Sequence, residues 1–182
     1  VSGFRSITPG ITVNTGSAQL RTELLNTFSR LDGQLTAAPY RLSTQNGPVG
    51  NVGAAESDLM SFQLNFNTLS NVGSSILIYA CGTTAANANN KTFKLNLGNT
   101  TVFTSGALAL NNVDWSFQAE IVGNGSTSQI TWGQFNRNGG SPVIETNTSS
   151  ENLGTNLDIV FTGTGTANND ISLYYYKALL LT

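Results

Sequence analysis

Residues Gly82–Val122 read GTTAANANNKTFKLNLGNTTVFTSGALALNNVDWSFQAEIV, and the last ten of them decide the fold. Val113, Trp115, Phe117, Ala119 and Ile121 alternate with Asp114, Ser116, Gln118 and Glu120. A period of two sends the first set to a core and the second to water, so this is a β-strand with one wet face. Upstream in the same block lie two shorter apolar runs, Phe93-Leu95-Leu97 and Val102-Phe103. Gly98-Asn99 separates them as a hairpin-like turn. Chemistry alone reads an antiparallel β domain here and no activity.

The whole chain agrees. Its 182 residues fit one domain with a small appendage. Hydrophobic residues make up 39%, enough for a core, whereas charged residues are only 10% against roughly 25% in an average soluble domain. Asn, Thr, Ser and Gly take their place, which suits strands faced with Thr and turns built from Asn and Gly. A net charge of −2 with scattered basic residues argues against nucleic acid as partner. No apolar run approaches the roughly 20 residues that span a bilayer, which argues against a membrane partner. VSGFRSITPG lacks the apolar core of a signal peptide. Cys81 is alone, so no intramolecular disulfide forms, and the apolar ILIYACG around it reads as core.

Residues 1–16 have no helical period, yet carry Phe4, Arg5, Ile7, Ile11 and Val13. Two readings stay open: an extended arm whose apolar residues bury against another chain, or a tail that packs on nothing. Residues 17–36 form the one convincing helix. Ser17 is its N-cap, and Leu20, Leu24, Phe28, Leu31 and Leu35 fall at steps of four, four, three and four. That narrow stripe needs cover, either from the chain's own sheet or from a short bundle with symmetry copies; its coiled-coil character favours the bundle. Residues 37–57, with Asn46-Gly47-Pro48, read as a linker holding one short extended piece at Tyr40-Arg41-Leu42.

The β body is expected over 58–182. Met60, Phe62, Leu64 and Phe66 share one face of a strand, while Ile76–Cys81 is apolar on both faces and reads as a doubly covered central strand. Further strands are expected at Thr92–Leu97, Thr101–Thr104, Val113–Val122, Gln129–Phe135, Leu157–Phe161 and Ile171–Leu181. Asn138–Pro142 reads as a break, and residues 83–90, 146–156 and 163–170 as long loops. About eight strands with loops of that length predict an all-β, antiparallel β-sandwich of jelly-roll type, preceded by the arm and the helix. Tyr174-Tyr175-Tyr176 must place aromatics on both faces of the last strand, and the face of Trp132 is ambiguous because its strand alternates less cleanly.

Several of these residues carry a resemblance. GTTAANANNK at 82–91, Phe103-Thr104-Ser105-Gly106 and Asp114-Trp115 resemble a module of tailed-bacteriophage virion structural proteins. VNTGSAQLRTELLNTFSRLDGQL, from Val13 to Leu35, resembles the helix-forming segments that open phage fibre-like proteins. The resemblance implies a virion protein made in the bacterial host cytoplasm and assembled onto the particle, commonly as a homotrimer. In that reading Leu20, Leu24, Phe28, Leu31 and Leu35 form the subunit interface. Phe4, Arg5, Ile7, Ile11 and Val13 attach the chain to the major capsid protein at the capsid surface.

Catalysis is not expected. The chain has no histidine, hence neither the commonest general base nor His metal ligands. Asp114 and Glu120 share one strand face but stand about 20 Å apart at strand rise, beyond a glycosidase pair. Glu56 with Asp58, and Glu145 with Glu151, read as solvated. No phosphate-binding, dinucleotide or calcium motif is present, so no cofactor is expected. Two functions remain: a homotrimeric capsid decoration (cement) or head-fibre protein that stabilises or decorates the capsid, and, as the alternative, a tail-fibre or receptor-binding tip that binds host-surface glycans.

Overall fold

A computed structural model describes residues 40–181. The expected arm and helix, with the interface set Leu20, Leu24, Phe28, Leu31 and Leu35 and the attachment set Phe4, Arg5, Ile7, Ile11 and Val13, lie outside the described residues. Within them the chain runs β1 (Tyr40–Gly50), β2 (Ser57–Leu64), β3 (Ser75–Thr84), β4 (Asn90–Leu97), β5 (Thr100–Thr104) and β6 (Leu108–Ala109). It continues with β7 (Asp114–Gly123), β8 (Gln129–Arg137), β9 (Val143–Ser149), β10 (Leu157–Thr164) and β11 (Ile171–Leu181). Two antiparallel sheets result. One has six strands in the order β1-β11-β3-β7-β8-β9; the other has the order β2-β10-β4-β5, with β6 also on β4. The chain's early strands pair with its late ones, β1 with β11 and β2 with β10, and successive strands from β1 to β4 cross from sheet to sheet.

The alternation that opened the sequence reading holds. Trp115, Phe117, Ala119 and Ile121 are all buried. They meet Phe93, Phe103 and Phe161 of the facing sheet, with ring centroids of Phe93–Trp115, Phe103–Phe117 and Phe117–Phe161 at 5.0, 4.9 and 4.6 Å. Such aromatic pairs add to area burial. The sheets come so close at Gly133 that a Cβ there would stand 2.6 Å from the Phe103 ring. Tyr176 points into the core and shares a hydrogen bond with Ser43 through its hydroxyl (2.8 Å).

Four expectations are corrected. The 37–57 linker holds β1, an eleven-residue strand along β11. Asn46-Gly47-Pro48 is an irregularity within it, where the register slips between Asn46 and Val49, and an edge strand tolerates proline because one side of its backbone needs no partner. The Asn138–Pro142 break is followed at once by β9, which takes the first part of the expected 146–156 loop. Beyond Val143, which packs on the core, its inward residues are polar and close the sandwich: Glu145 accepts the Thr104 amide at 2.7 Å, and the Asn147 amide donates to the Val102 carbonyl at 3.1 Å. Phe66 lies beyond β2 and is exposed, because Asn67 turns the chain with a φ of 61°. Within the described residues β3 is central in its sheet but covered on one face only, leaving Leu77, Tyr79 and Cys81 half-buried on the other.

Candidate binding face

The outward faces of the two sheets differ in kind. On the five-stranded sheet the outward residues are mainly polar and largely engaged with one another. Glu56 pairs with Lys94 at 2.6 Å and accepts the Thr162 hydroxyl, and Thr101 donates to Asn96. The Lys94 hydrogen bond is the main reason the Glu56 carboxyl sits below its usual range. On the six-stranded sheet the register lays out three rows. One runs Thr146–Trp132–Glu120–Leu77–Leu179–Arg41. The next runs Ile144–Gln134–Gln118–Tyr79–Lys177–Thr44, and the third Asn136–Ser116–Cys81–Tyr175–Asn46. The first row, with Val122 and Ile130 beyond it, is mainly apolar. Trp132, whose face the sequence left ambiguous, belongs to it.

The other two rows form a trough. A shallow depression of about 220 Å³ lies over Tyr79, Cys81, Ser116, Gln118, Asn136 and Tyr175. It shares Ser116 and Asn136 with a second, of about 330 Å³, that also takes in Asp114, Arg137 and Asn138 at the sheet's end. The Lys177 ammonium stands 5.4 Å from the Tyr79 ring centroid. Gln134 donates to Asn136 Oδ1 at 2.8 Å, which orients the Asn136 amide nitrogen away from that bond. The hydroxyls of Tyr79, Tyr175 and Ser116, the Gln118 amide and the Asp114 carboxylate make no hydrogen bond to another described residue. Arg137 Nη1 is buried and without a partner among the described residues.

A buried polar hub holds the end of the sandwich beside this trough. Lys91 shares the inward face of β4 with Phe93, Leu95 and Leu97 and is fully buried. Its ammonium donates to the Leu110 carbonyl (2.8 Å), Asn87 Oδ1 (2.8 Å), the Asn89 carbonyl (3.0 Å) and the Asn87 carbonyl (3.2 Å). The Asn87 amide in turn donates to Asp170 at 2.7 Å, which links cation to carboxylate through one side chain. Burial alone would raise the Asp170 carboxyl. The Thr166 amide, Asn87, the Thr166 hydroxyl and the Ala167 amide outweigh it and hold the group well below the usual carboxylate range. Burial pushes the Lys91 ammonium down, and the Asp170 charge opposes that shift. Thr84 and Val113 exchange hydrogen bonds next to this hub, so β3 and β7, which floor the trough, are clamped there.

Of the other acidic residues read as solvated, Asp58 is exposed, whereas Glu151 ties loops together: it accepts from Thr100 (2.6 Å) and from the Asn99 amide (3.2 Å). Among the described residues no three His, Cys, Asp or Glu side chains converge as a metal site would require. Sequence reasoning missed both the hub and the trough. Lys91 could have been found by its place in the Lys91-Phe93-Leu95-Leu97 alternation. The trough was signalled by β3, whose two apolar faces exceed what a two-layer domain can bury.

No family model matches the chain, and no curated protein sequence matches it. Among solved structures, it is similar to the CBM2 module of the evolved Dit protein of Lactobacillus casei BL23 phage J-1, at 12% identity over 79% of this chain and 97% of that one, TM-score 0.41. It is also similar to the PL-14 alginate lyase of the marine Aplysia kurodai (15% identity, 62% and 71%, TM-score 0.40). Peanut lectin is a third (8% identity, 78% and 86%, TM-score 0.36). Scores this low carry no inference about what this chain binds or does.

Proposed function

We propose that this chain is a non-catalytic structural protein of a tailed-phage virion, a homotrimeric capsid decoration or head-fibre protein. Residues 1–36 attach it and join its copies, and the sandwich, read as a jelly roll from its strand order, is the exposed body. The class rests on the resemblance at Gly82–Val122 and at Val13–Leu35. The structural observation that supports it is the outward face of the six-stranded sheet. Leu77 and Leu179 form one apolar group there and Val122, Ile130 and Trp132 a second, on either side of Glu120 and uncovered by the described residues. Apolar side chains clustered on an open face in this way mark a chain that works in contact with others. The test is to label intact particles with antibody against the sandwich and to add back a chain lacking residues 1–36. Label over the capsid, with no rebinding by the truncated chain, is expected. Label absent from the particles would end the reading.

The polar trough on the same face favours a second reading, a tail-fibre or receptor-binding tip that engages host glycans. Label confined to the tail would select it.

A further inference from the structure

We infer that the trough across β11, β3, β7 and β8 is a binding site for an uncharged glycan chain, with Tyr79 and Tyr175 as its apolar platforms and Ser116, Gln118 and Asn136 as its hydrogen-bonding floor. The site belongs to the sandwich itself and holds wherever on a particle the chain sits.

Three features carry this. First, the lining is mixed as a sugar requires: the Tyr175 ring and the side of the Tyr79 ring away from Lys177 offer apolar faces to ring C–H groups, and hydroxyl and amide groups match a rim of sugar hydroxyls. Second, these polar groups are not spent within the described residues. Elsewhere Asn and Gln side chains knit the protein together, as Asn51, Asn87, Asn147 and Gln129 do. In the trough the Asn136 amide nitrogen, the Gln118 amide and the Ser116 hydroxyl face outward instead. Third, the charges nearly cancel. Asp114 and Arg137 contribute one of each sign at the sheet's end, as do Glu120 and Lys177 farther along the face, and Arg41 at the far edge leaves a single positive charge. A phosphate backbone or polyanion finds little net attraction there.

The shape points the same way. Four strands give three interstrand steps, about 14 Å in all, enough for a short oligosaccharide laid across them. A peptide would find only side chains on a sheet face, with no free backbone edge to pair with. The hub behind Thr84 and Val113 fixes the floor before anything binds, which lowers the ordering cost of binding.

The experiment uses the full chain. It would be screened against short neutral oligosaccharides of glucose, galactose, mannose and rhamnose, with alginate and heparin fragments as acidic arms, and the best binder followed by calorimetry. A neutral oligosaccharide is expected to bind and to slow alkylation of Cys81, which lies in the trough. Tyr175→Ala and Asn136→Ala should each weaken binding about tenfold or more, the loss of roughly one directed contact. Ile130→Ser, exposed on the same face but beyond the apolar row, should leave it unchanged. Gln118→Ala is the reserve variant if either of the first two melts below the parent. Binding of none of the neutral sugars, binding of the acidic arms alone, or neutral binding that survives these substitutions would each overturn the proposal. All three results would leave the virion reading standing, because that depends on where label falls on particles.

Discussion

Lys91 and Lys94 lie on the same strand with opposite fates, and replacing each by methionine isolates what the hub contributes. Methionine keeps a flexible chain of similar length and deletes the ammonium. At Lys91 that removes four hydrogen bonds from a fully buried cation. The Leu110 carbonyl loses a buried donor, and an unpaired buried acceptor costs about 1–3 kcal/mol. The Asn87 and Asn89 acceptors are part-buried and recover some of their loss from water. Asp170 also loses its nearest buried cation. Removing one member of a buried charge pair costs about 3–5 kcal/mol, and that is the expected range for Lys91→Met. At roughly 2–4 °C per kcal/mol for a chain of this size, its melting temperature should fall by about 6–20 °C. Lys94→Met breaks only the half-exposed Glu56 pair at 2.6 Å and should cost about 0–1 kcal/mol. Thermal and urea melts followed by near-UV circular dichroism measure both. The hub would not be a structural centre if Lys91→Met melted within about 2 °C of the parent, or no lower than Lys94→Met.

Trp115→Ala should cost about 3–5 kcal/mol, since the ring is buried among Phe93, Phe135 and Phe161 and its Nε1 donates to Thr83; an unchanged urea midpoint would refute its place in the core. Asp170 predicts a loss of stability in acid. Its carboxyl is held below the unfolded value of about 3.9, so its contribution is full above that value and declines as pH falls through it toward the folded pKa. Melts from pH 7 to pH 2.5 should therefore show the parent converging on Asp170→Asn, and a constant gap between the two would contradict this. Light scattering of the chain with and without residues 1–36 tests the proposed trimer. A stable monomer in both cases, at micromolar concentration, would remove it.

The inward half of this fold was legible, because alternation is a one-dimensional record of burial. Trp115, Phe117, Phe93 and Ile76 could be assigned to a core from spacing alone. The edges were not. β1 carries Gly-Pro inside a strand, and β9 carries Glu145 and Asn147 on its inward side because it closes the sandwich mostly with hydrogen bonds, Val143 alone adding apolar contact. Neither pattern differs from a loop until its partner strand is known. Lys91 was hidden for a related reason: a cation in an otherwise apolar alternation makes sense only once the preceding loop folds its Asn87 and Asn89 oxygens back over it and Leu110 brings a third from farther along the chain.

The outward face was recorded in the sequence as an excess. In a two-layer sandwich each strand has one side to bury, so a strand apolar on both sides carries more than the core of the described sandwich can take. Two strands here do so, β3 through Leu77, Tyr79 and Cys81, and β11 through Tyr175, Leu179 and Leu181. They are separated by almost the whole β body in sequence yet are neighbours in the sheet, with Leu77 opposite Leu179 and Cys81 opposite Tyr175. Chance apolar substitutions would scatter over both sheets. Instead the excess gathers on one sheet face. Past Glu120 it continues through Val122, Ile130 and Trp132, and on the other side Tyr79, Cys81 and Tyr175 lie among the Gln118 and Asn136 amides. One sheet face thus divides into a mainly apolar half fit for protein contact and a mixed half of rings and amides fit for sugars. Substitutions in the two halves should accordingly separate: Leu179→Ser should alter self-association without touching glycan binding, and Asn136→Ala the reverse. If both variants changed both properties together, the face would be a single surface and the division wrong.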